Sequence, residues 1–280
     1  MHPFTDRKLV IATRHRKEAV LAPILEEALG VRCIIPDDFD SDRFGTFSGE
    51  VERLLDPVSA AREKCLAAMH ETGCDLGLAS EGSFGPHPTL FFLSADEEFL
   101  LFIDRKHGLE VVVREISADT NFNAGDVSDT AQLLEFARAA GFPEHGLILR
   151  KAGPRETEIH KGIHDKDELV RTFLAMQAGG TNVSVETDMR AMHNPTRMKV
   201  IEKAAYKLLE AIRSRCPACS MPGYVVTDIE RGLPCDLCGA ATRGVLMLIR
   251  VCRSCGHRTE TKFPDGRLTA DPGTCDYCNP

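Results

Sequence analysis

Apolar residues in the first two hundred positions alternate between short runs and helical stripes. Lys8-Leu-Val-Ile-Ala-Thr13 is a short apolar run that predicts a buried strand. Val20, Leu21, Ile24, Leu25 and Ala28 then share one face of a helix from about residue 16, with Gly30 as its stop. Pro23 falls inside that helix and is expected to kink or shorten it. Val31-Arg-Cys-Ile-Ile35 predicts a second strand, and residues 36–56 an acidic loop. Asp56-Pro57 supplies a helix N-cap followed by proline at the first helical position. Val58, Ala61, Cys65, Ala68 and Met69 mark the apolar stripe of that helix, which runs down to Gly73. Asp75-Leu-Gly-Leu-Ala79 predicts a third strand, opening into a glycine-bearing polar turn at 80–88.

Strands are expected next at 89–94, 98–104 and 109–116, the last two joined as a hairpin at Lys106-His-Gly108. Residues 117–127 read as a loop, 129–140 as a helix ending at Gly141, 146–150 as a strand, 165–177 as a helix and 183–186 as a strand. Pro195 opens a last helix whose Met198, Ile201, Ala205, Leu208 and Ile212 share a face. Such alternation, with a hairpin in the middle, argues for the α/β class: a mixed-sheet α/β domain over 1–214, followed by a small two-zinc ribbon domain over 215–280. In such sheets ligands bind beyond the carboxyl ends of strands. Three polar stretches follow predicted strand ends, at 13–17, 80–87 and 186–197.

The tail carries the clearest chemistry. Four Cys-x-x-Cys knuckles, Cys216/Cys219, Cys235/Cys238, Cys252/Cys255 and Cys275/Cys278, supply eight thiolates, enough for two tetrahedral zinc sites. Fifteen residues separate Cys219 from Cys235 and nineteen separate Cys255 from Cys275, both at ribbon spacing. Consecutive pairing of the knuckles is therefore expected. A crossed pairing, the alternative, skips a knuckle each time and closes longer loops at somewhat greater entropic cost. Four disulfides are disfavoured, because the start of the chain lacks an apolar signal segment and a cytoplasmic location is expected. No apolar run is long enough to span a bilayer.

Charge narrows the partners. The chain carries −8; residues 215–280 hold eight Lys/Arg and seven Asp/Glu, hence +1, which leaves −9 for residues 1–214. Two Cys₄ zinc sites would each add about −2, so the tail is acidic overall once loaded. Nucleic-acid binders usually present a basic face, and with no Trp and three Tyr the chain is poor in stacking platforms. Nucleic acid is therefore a less favoured partner than a protein docking through the ribbons. Only Arg250, Arg253, Arg258, Lys262 and Arg267 form a local basic stretch.

The loops at strand ends suggest anion and metal chemistry. Thr13-Arg-His-Arg-Lys17 follows a buried strand and opens a helix, so backbone N–H groups with Arg14, Arg16 and Lys17 suit a phosphate. Glu50, Glu52 and Glu81, together with Glu186 and Asp188, are candidate oxygen ligands for Mg²⁺. Arg190 and Arg197 would grip a second anionic group or pair with Glu186 and Asp188. Walker and dinucleotide glycine patterns are lacking, and neither Ser80 nor Ser83 has the glycines of a nucleophile elbow.

Leu9-Val-Ile-Ala-Thr13, a Lys-bearing helix, an acidic loop, Asp56-Pro-Val-Ser-Ala-Ala-Arg-Glu-Lys64 and Gly77-Leu-Ala-Ser-Glu-Gly82 follow in an order that resembles the inosine triphosphate pyrophosphatase-like superfamily. The likeness covers roughly residues 8–85. It implies that Thr13 and Lys17 touch phosphates, that Glu50 or Glu52 and Glu81 hold Mg²⁺, and that Lys64 lies near the site. His15 stands where that superfamily has Asn, and Lys17 comes one place earlier than in much of it. The functional expectation is a Mg²⁺-dependent hydrolase acting on a nucleotide or other phosphorylated small molecule, with structural zinc. The alternative is a non-catalytic module that senses an anionic ligand and docks a protein or nucleic acid through its ribbons. A redox role for the knuckles ranks last, since two zincs would occupy all eight thiols.

Overall fold

The computed structural model describes residues 3–13, 15–36, 39, 55–151, 158–177 and 183–280. The chain divides into two compact units. One comprises Met1–Phe102 with Val112–Lys207, and the other Ile103–Val111 with Leu208–Pro280.

The first unit begins with β1 (Lys8–Ala12), α1 (Glu18–Leu29), β2 (Arg32–Ile34), α2 (Pro57–Thr72) and β3 (Leu76–Pro86). β4 (Ser94–Asp104) and β5 (Leu109–Ser117) complete a five-stranded sheet of order β2-β1-β3-β4-β5, with β1 parallel to both β2 and β3. The elements form where the apolar pattern demands. β1 buries four of its five residues, and α2 buries Ala60, Ala61, Cys65, Ala68 and Met69 on one stripe. Asp56 caps α2 by accepting from the Val58 and Ser59 N–H groups at 3.0 and 3.1 Å. α2 packs closely on β3: a Cβ at Gly77 would stand 2.6 Å from Cys65 Sγ and from Met69 Sδ. α1 continues through Pro23 to Leu29, so of the two expected effects, a kink or a shortening, the proline does not end the helix.

A second, fully antiparallel sheet of order β6-β9-β7-β8 follows, from β6 (Ala124–Val127), β7 (Leu147–Lys151), β8 (Glu158–Ile163) and β9 (Val183–Thr187). α3 (Thr130–Ala140) and α4 (Lys166–Gln177) complete its core, in which Leu133, Leu149, Leu169, Phe173 and Val185 are all fully buried. β6 replaces part of an expected loop. Its Ala-Gly-Asp-Val sequence has almost no apolar signal, and it is held by the ladder to β9.

Two expectations around β3 are corrected. The polar stretch after Ala79 is not a turn: β3 continues through Ser80, Glu81, Gly82 and Ser83 to Pro86. The apolar run at 89–94 is not a strand. Thr89 to Leu93 form a turn, because His87 Nδ1 accepts the Thr89 and Leu90 N–H groups at 3.2 and 3.1 Å and so closes the chain on itself.

α5 (Pro195–Arg213) buries Val200, Ile201, Ala204, Ala205, Leu208, Leu209 and Ile212. The second unit is built on β10 (Val226–Arg231), β11 (Val245–Val251) and β12 (Arg258–Lys262), an antiparallel sheet of that order. None of these three strands was foreseen. Among the described residues no helix is long and apolar enough to cross a membrane.

Candidate functional site

The interior of the first unit holds a cluster of charges that a core ordinarily excludes. Lys17, Lys64, Glu81, Asp96, Glu98 and Arg197 are all buried, Asp96, Glu98 and Arg197 completely. Each is delivered by a regular element. Lys17 occupies the N-cap position of α1, Lys64 is inward on α2, and Glu81 is on the polar extension of β3. Asp96 and Glu98 are two apart on β4 and so share a face, while Arg197 is in the first turn of α5.

Most of these charges are neutralised in pairs, as burial requires. Lys17 Nζ donates to Ser80 Oγ at 2.8 Å and is 3.8 Å from Glu98 Oε2. Lys64 pairs with Glu81. Arg197 Nε donates to Glu98 Oε1 at 2.6 Å, its Nη1 donates to the Met189 carbonyl, and its guanidinium lies over the Phe84 ring at 4.9 Å. Gly82 is what lets Arg197 and Glu98 meet. A Cβ there would be 2.4 Å from Arg197 Nη2 and 2.7 Å from Glu98 Oε1, closer than any side chain can approach.

Asp96 is the exception. Neither of its carboxylate oxygens, both buried, has a hydrogen-bond partner among the described residues. Burial pushes its carboxyl up to about 7, and the neighbouring Glu98 adds to the rise; the charges of Arg197 and Lys17 work the other way. Burial likewise pulls the Lys17 ammonium down to about 8, partly offset by Glu98. An acid and a base that both titrate near neutrality inside one cluster are the pattern expected of proton-handling chemistry.

The sequence pointed to Lys17, Lys64, Glu81 and Arg197, and these gather here. Thr13 is buried and accepts the His15 N–H through its hydroxyl at 3.4 Å; His15 itself is half-buried. Arg14, Glu50 and Glu52 lie outside the described residues. Glu186 pairs with Arg150 at 2.9 Å. Asp188 accepts from the Gly162 N–H at 3.0 Å and from Arg190 Nη2 at 2.6 Å. Burial would raise the Asp188 carboxyl, but the hydrogen bonds and charge of Arg190 outweigh it and hold it below its ordinary value. Sequence reading missed Asp96 and Glu98. The available signal was an Asp-Glu-Glu run entering an otherwise apolar strand, with its first and third members on one face.

The second unit gathers the cysteines, but not in the expected pairs. Cys216, Cys219, Cys252 and Cys255 form one cluster, and Cys235, Cys238, Cys275 and Cys278 the other. The pairing is crossed. Across the knuckles the sulfurs lie 3.7 and 3.6 Å apart in the first cluster and 3.8 and 3.7 Å in the second. A zinc with sulfurs at about 2.3 Å requires tetrahedral edges of about 3.8 Å, so the donor sets fit that ion. All four knuckles use one turn, in which the residue after the second cysteine donates its N–H to the carbonyl of the first. The distances are 2.8 Å for Ser220, 2.9 Å for Gly239, 2.8 Å for Gly256 and 2.8 Å for Asn279. Gly239 and Gly256 take positive φ there, which glycine permits without strain. Cys216 and Cys252 are buried beside Tyr224, whose hydroxyl meets Thr259 Oγ1 at 2.8 Å. Cys235 and Cys275 are buried in the other cluster.

No curated protein matches the chain. The family described as "Domain of unknown function (DUF6671)" matches residues 64–280, a span that takes in Lys64, the β3–β4 acids, Arg197 and all eight cysteines. The match covers well over half of the sequence, and the chain belongs to that family.

Proposed function

We propose that the protein is a divalent-metal-dependent hydrolase of a phosphorylated small molecule, a nucleotide foremost, working at the buried cluster of the first unit, with two zinc ions as structural elements of the second. The observation that carries this reading is Asp96. A fully buried carboxylate that has no hydrogen-bond partner among the described residues costs several kcal/mol to ionise, which points to a ligand that would meet it.

The cluster suits a hard cation. Mg²⁺ typically takes one or two carboxylates and keeps the rest of its shell for water and phosphate. Asp96 Oδ1 and Oδ2 and Glu98 Oε2 are buried acceptors lacking a hydrogen bond among the described residues. When bound, such an ion supplies charge neutralisation at phosphate oxygens. The chain's own groups do the rest. Lys17 and Arg197 add positive charge opposite a developing phosphate charge. Asp96, which the cation would hold ionised, would keep one oxygen free to accept a hydrogen bond from an attacking water. The Lys64–Glu81 pair ties α2 to β3, the strand whose Ser80 accepts from Lys17. The resemblance of residues 8–85 to the inosine triphosphate pyrophosphatase-like superfamily supports the same substrate class. Cytoplasmic residence is part of the proposal, since reduced thiols are what zinc needs.

The test is a panel of nucleoside triphosphates, deaminated purines included, with phosphate and pyrophosphate assayed separately at fixed Mg²⁺. Turnover that falls by about 100-fold or more in Asp96→Asn, at unchanged fold and zinc content, is the expected result. If no substrate turns over and Mg²⁺-dependent nucleotide binding is also absent, the non-catalytic reading, with the ribbons as a protein-docking module, replaces this one.

A further inference from the structure

Three connecting segments of the first unit meet through two histidines. They are the α3–β7 loop with Pro143 and Gly146, the β8–α4 loop with His164, and the β9–α5 segment with His193. His164 Nδ1 is 2.7 Å from the Pro143 carbonyl and its Nε2 is 2.9 Å from His193 Nδ1, with the rings 5.1 Å apart and tilted by 35°. Glycines make room for the contact. A Cβ at Gly146 would stand 3.0 Å from His164 Nε2, and one at Gly162 would stand 3.1 Å from His193 Nε2 and 3.2 Å from Arg190 Nη2. The Pro143 carbonyl can only accept, so neutral His164 carries its proton on Nδ1 and its Nε2 is bare. That nitrogen accepts from His193 Nδ1–H, which leaves His193 Nε2 bare on the side of Gly162 and Arg190. Both rings therefore hold the Nδ1–H form, the minor tautomer of a histidine in water. The pair tolerates one added proton, on His193 Nε2. A second has only the bridging nitrogen left, and two N–H groups then face each other.

The segment that this pair fastens is the one that delivers Arg197. The Gly146 N–H donates to the His193 carbonyl at 2.8 Å, and the Asp188 N–H to the Gly146 carbonyl at 2.9 Å. Asn194 Oδ1 accepts the Arg197 N–H at 3.0 Å, and Arg197 Nη1 donates to the Met189 carbonyl. We propose that the His164–His193 pair is an acid-released latch, which closes the β9–α5 segment onto its two neighbouring loops, holds Arg197 in the buried cluster, and opens when both rings are protonated. As regulation of hydrolysis this rests on the function proposed above; as a latch it does not. Burial holds His193 below its ordinary value; Asp188 opposes the shift, and Arg190 and His164 add to it. Asp188 and Arg190 are themselves paired at 2.6 Å. At the start of α4, Asp165 is engaged with the Glu168 N–H at 2.8 Å. His145 of the α3–β7 loop is turned to the Gly141 carbonyl at 3.2 Å and the Thr196 hydroxyl at 2.9 Å; a hydroxyl can accept as well as donate, so charging His145 breaks neither bond. Because the fold disfavours charged His193, the segment is fully held above the unfolded value of about 6.5 and weakens as pH falls below it.

Amide hydrogen exchange of the zinc-replete full chain, without substrate, tests this. Protection of the Gly146 and Arg197 N–H groups, corrected for the intrinsic rate, is expected to fall about tenfold between pH 7.5 and pH 5, while the β7–β9 ladder keeps its protection. His193→Asn keeps a donor where Nδ1 stood and cannot charge, and its amide can turn to accept once His164 is charged. Its protection should therefore stay flat over that range. Wild-type protection that is equally flat overturns the proposal, as does a fall of the same size in His193→Asn. Nitrogen-15 NMR of the wild-type imidazoles needs no variant: both rings are expected as Nδ1–H tautomers at pH 7.5, and an Nε2–H tautomer at either overturns the latch. Because every readout is free of substrate, an absence of nucleotide turnover would remove the hydrolase reading and leave the latch standing.

Discussion

Asp96→Asn separates a buried carboxylate that ionises at a cost from one whose charge is met within the fold, because the two leave different marks on stability. The Asp96 carboxyl rises from 3.8 to about 7 in the fold, with burial the first cause and Glu98 the second. For an acid shifted upward, the folded state holds the proton more tightly than the unfolded one. Stability is therefore greatest at low pH and is lost as pH climbs from the unfolded value through the folded one. By linkage, the cost of Asp96 is below about 2 kcal/mol at pH 5 and reaches about 4 kcal/mol at pH 8. The second figure is a ceiling, since any water reaching the carboxylate lowers it. Asparagine keeps the shape and cannot ionise, so the variant should melt higher than wild type at pH 8. For a unit of this size about 4 kcal/mol corresponds to roughly 8–16 °C, with less than half of that remaining at pH 5. The chain has no Trp, so the transition is best followed by amide circular dichroism. Saturating Mg²⁺ should narrow the gap at pH 8 by stabilising wild type alone, by about 2.7 kcal/mol at 100 times the dissociation constant. Equal melting temperatures at pH 8, or a gap of one size at both pH values, would refute the assignment of a buried ionising carboxylate. A Mg²⁺ effect of the same size in Asp96→Asn would refute its role as a cation ligand.

The remaining predictions concern the neighbours and the two cysteine clusters. Gly82→Ala should push Arg197 from Glu98 and destabilise the first unit by about 1–3 kcal/mol, read as a fall in melting temperature with zinc content unchanged. Arg197→Met leaves Glu98 buried without its strongest partner and should cost about 3–5 kcal/mol in chemical denaturation. Native mass spectrometry should find two Zn²⁺ per chain. Cys235→Ser combined with Cys275→Ser should retain one of them, whereas consecutive pairing predicts the loss of both.

What the sequence disclosed depended on whether local pattern or tertiary pairing set the structure. α1, α2 and α3 were legible because their apolar stripes end at Gly30, Gly73 and Gly141, each of which takes the left-handed conformation that closes a helix. β6 and β8 were not, since strands of sequence Ala-Gly-Asp-Val and Glu-Ile-His-Lys-Gly-Ile have little pattern of their own and exist because β9 and β7 pair with them. The buried cluster was half-legible for a related reason. Lys17 and Arg197 stand at the starts of helices, where polar residues attract notice, and Glu81 drew it as part of an expected turn, but Asp96 and Glu98 are inside a strand, where the charge was obscured by the Glu-rich appearance of the run. Extending β3 through Ser80, Glu81 and Gly82 follows from the same cause. A polar segment reads as a turn until the partners that neutralise it are known.

The crossed pairing of the cysteine knuckles shows a strand pattern overruling ligand spacing. Longer loops cost only about 0.6 kcal/mol per doubling, so the entropic preference for consecutive knuckles is about 1 kcal/mol for both centres together. Topology easily exceeds that. The first knuckle precedes β10 and the third follows β11, and antiparallel pairing of Val226 with Arg250 brings those two ends together. The second knuckle lies between β10 and β11 and the fourth follows β12; pairing of Met247 with Lys262 sets the end of β12 beside the start of β11. Seven residues of β11, at about 3.4 Å each, separate the two ends of the sheet by about 20 Å. No zinc can bridge that distance, so consecutive knuckles at opposite ends cannot share an ion. The apolar run Val245-Leu-Met-Leu-Ile-Arg-Val251 between the second and third knuckles is the sequence feature that decides the matter. A strand of that length between two knuckles forces them apart, and three antiparallel strands threaded through four knuckles can only pair first with third and second with fourth.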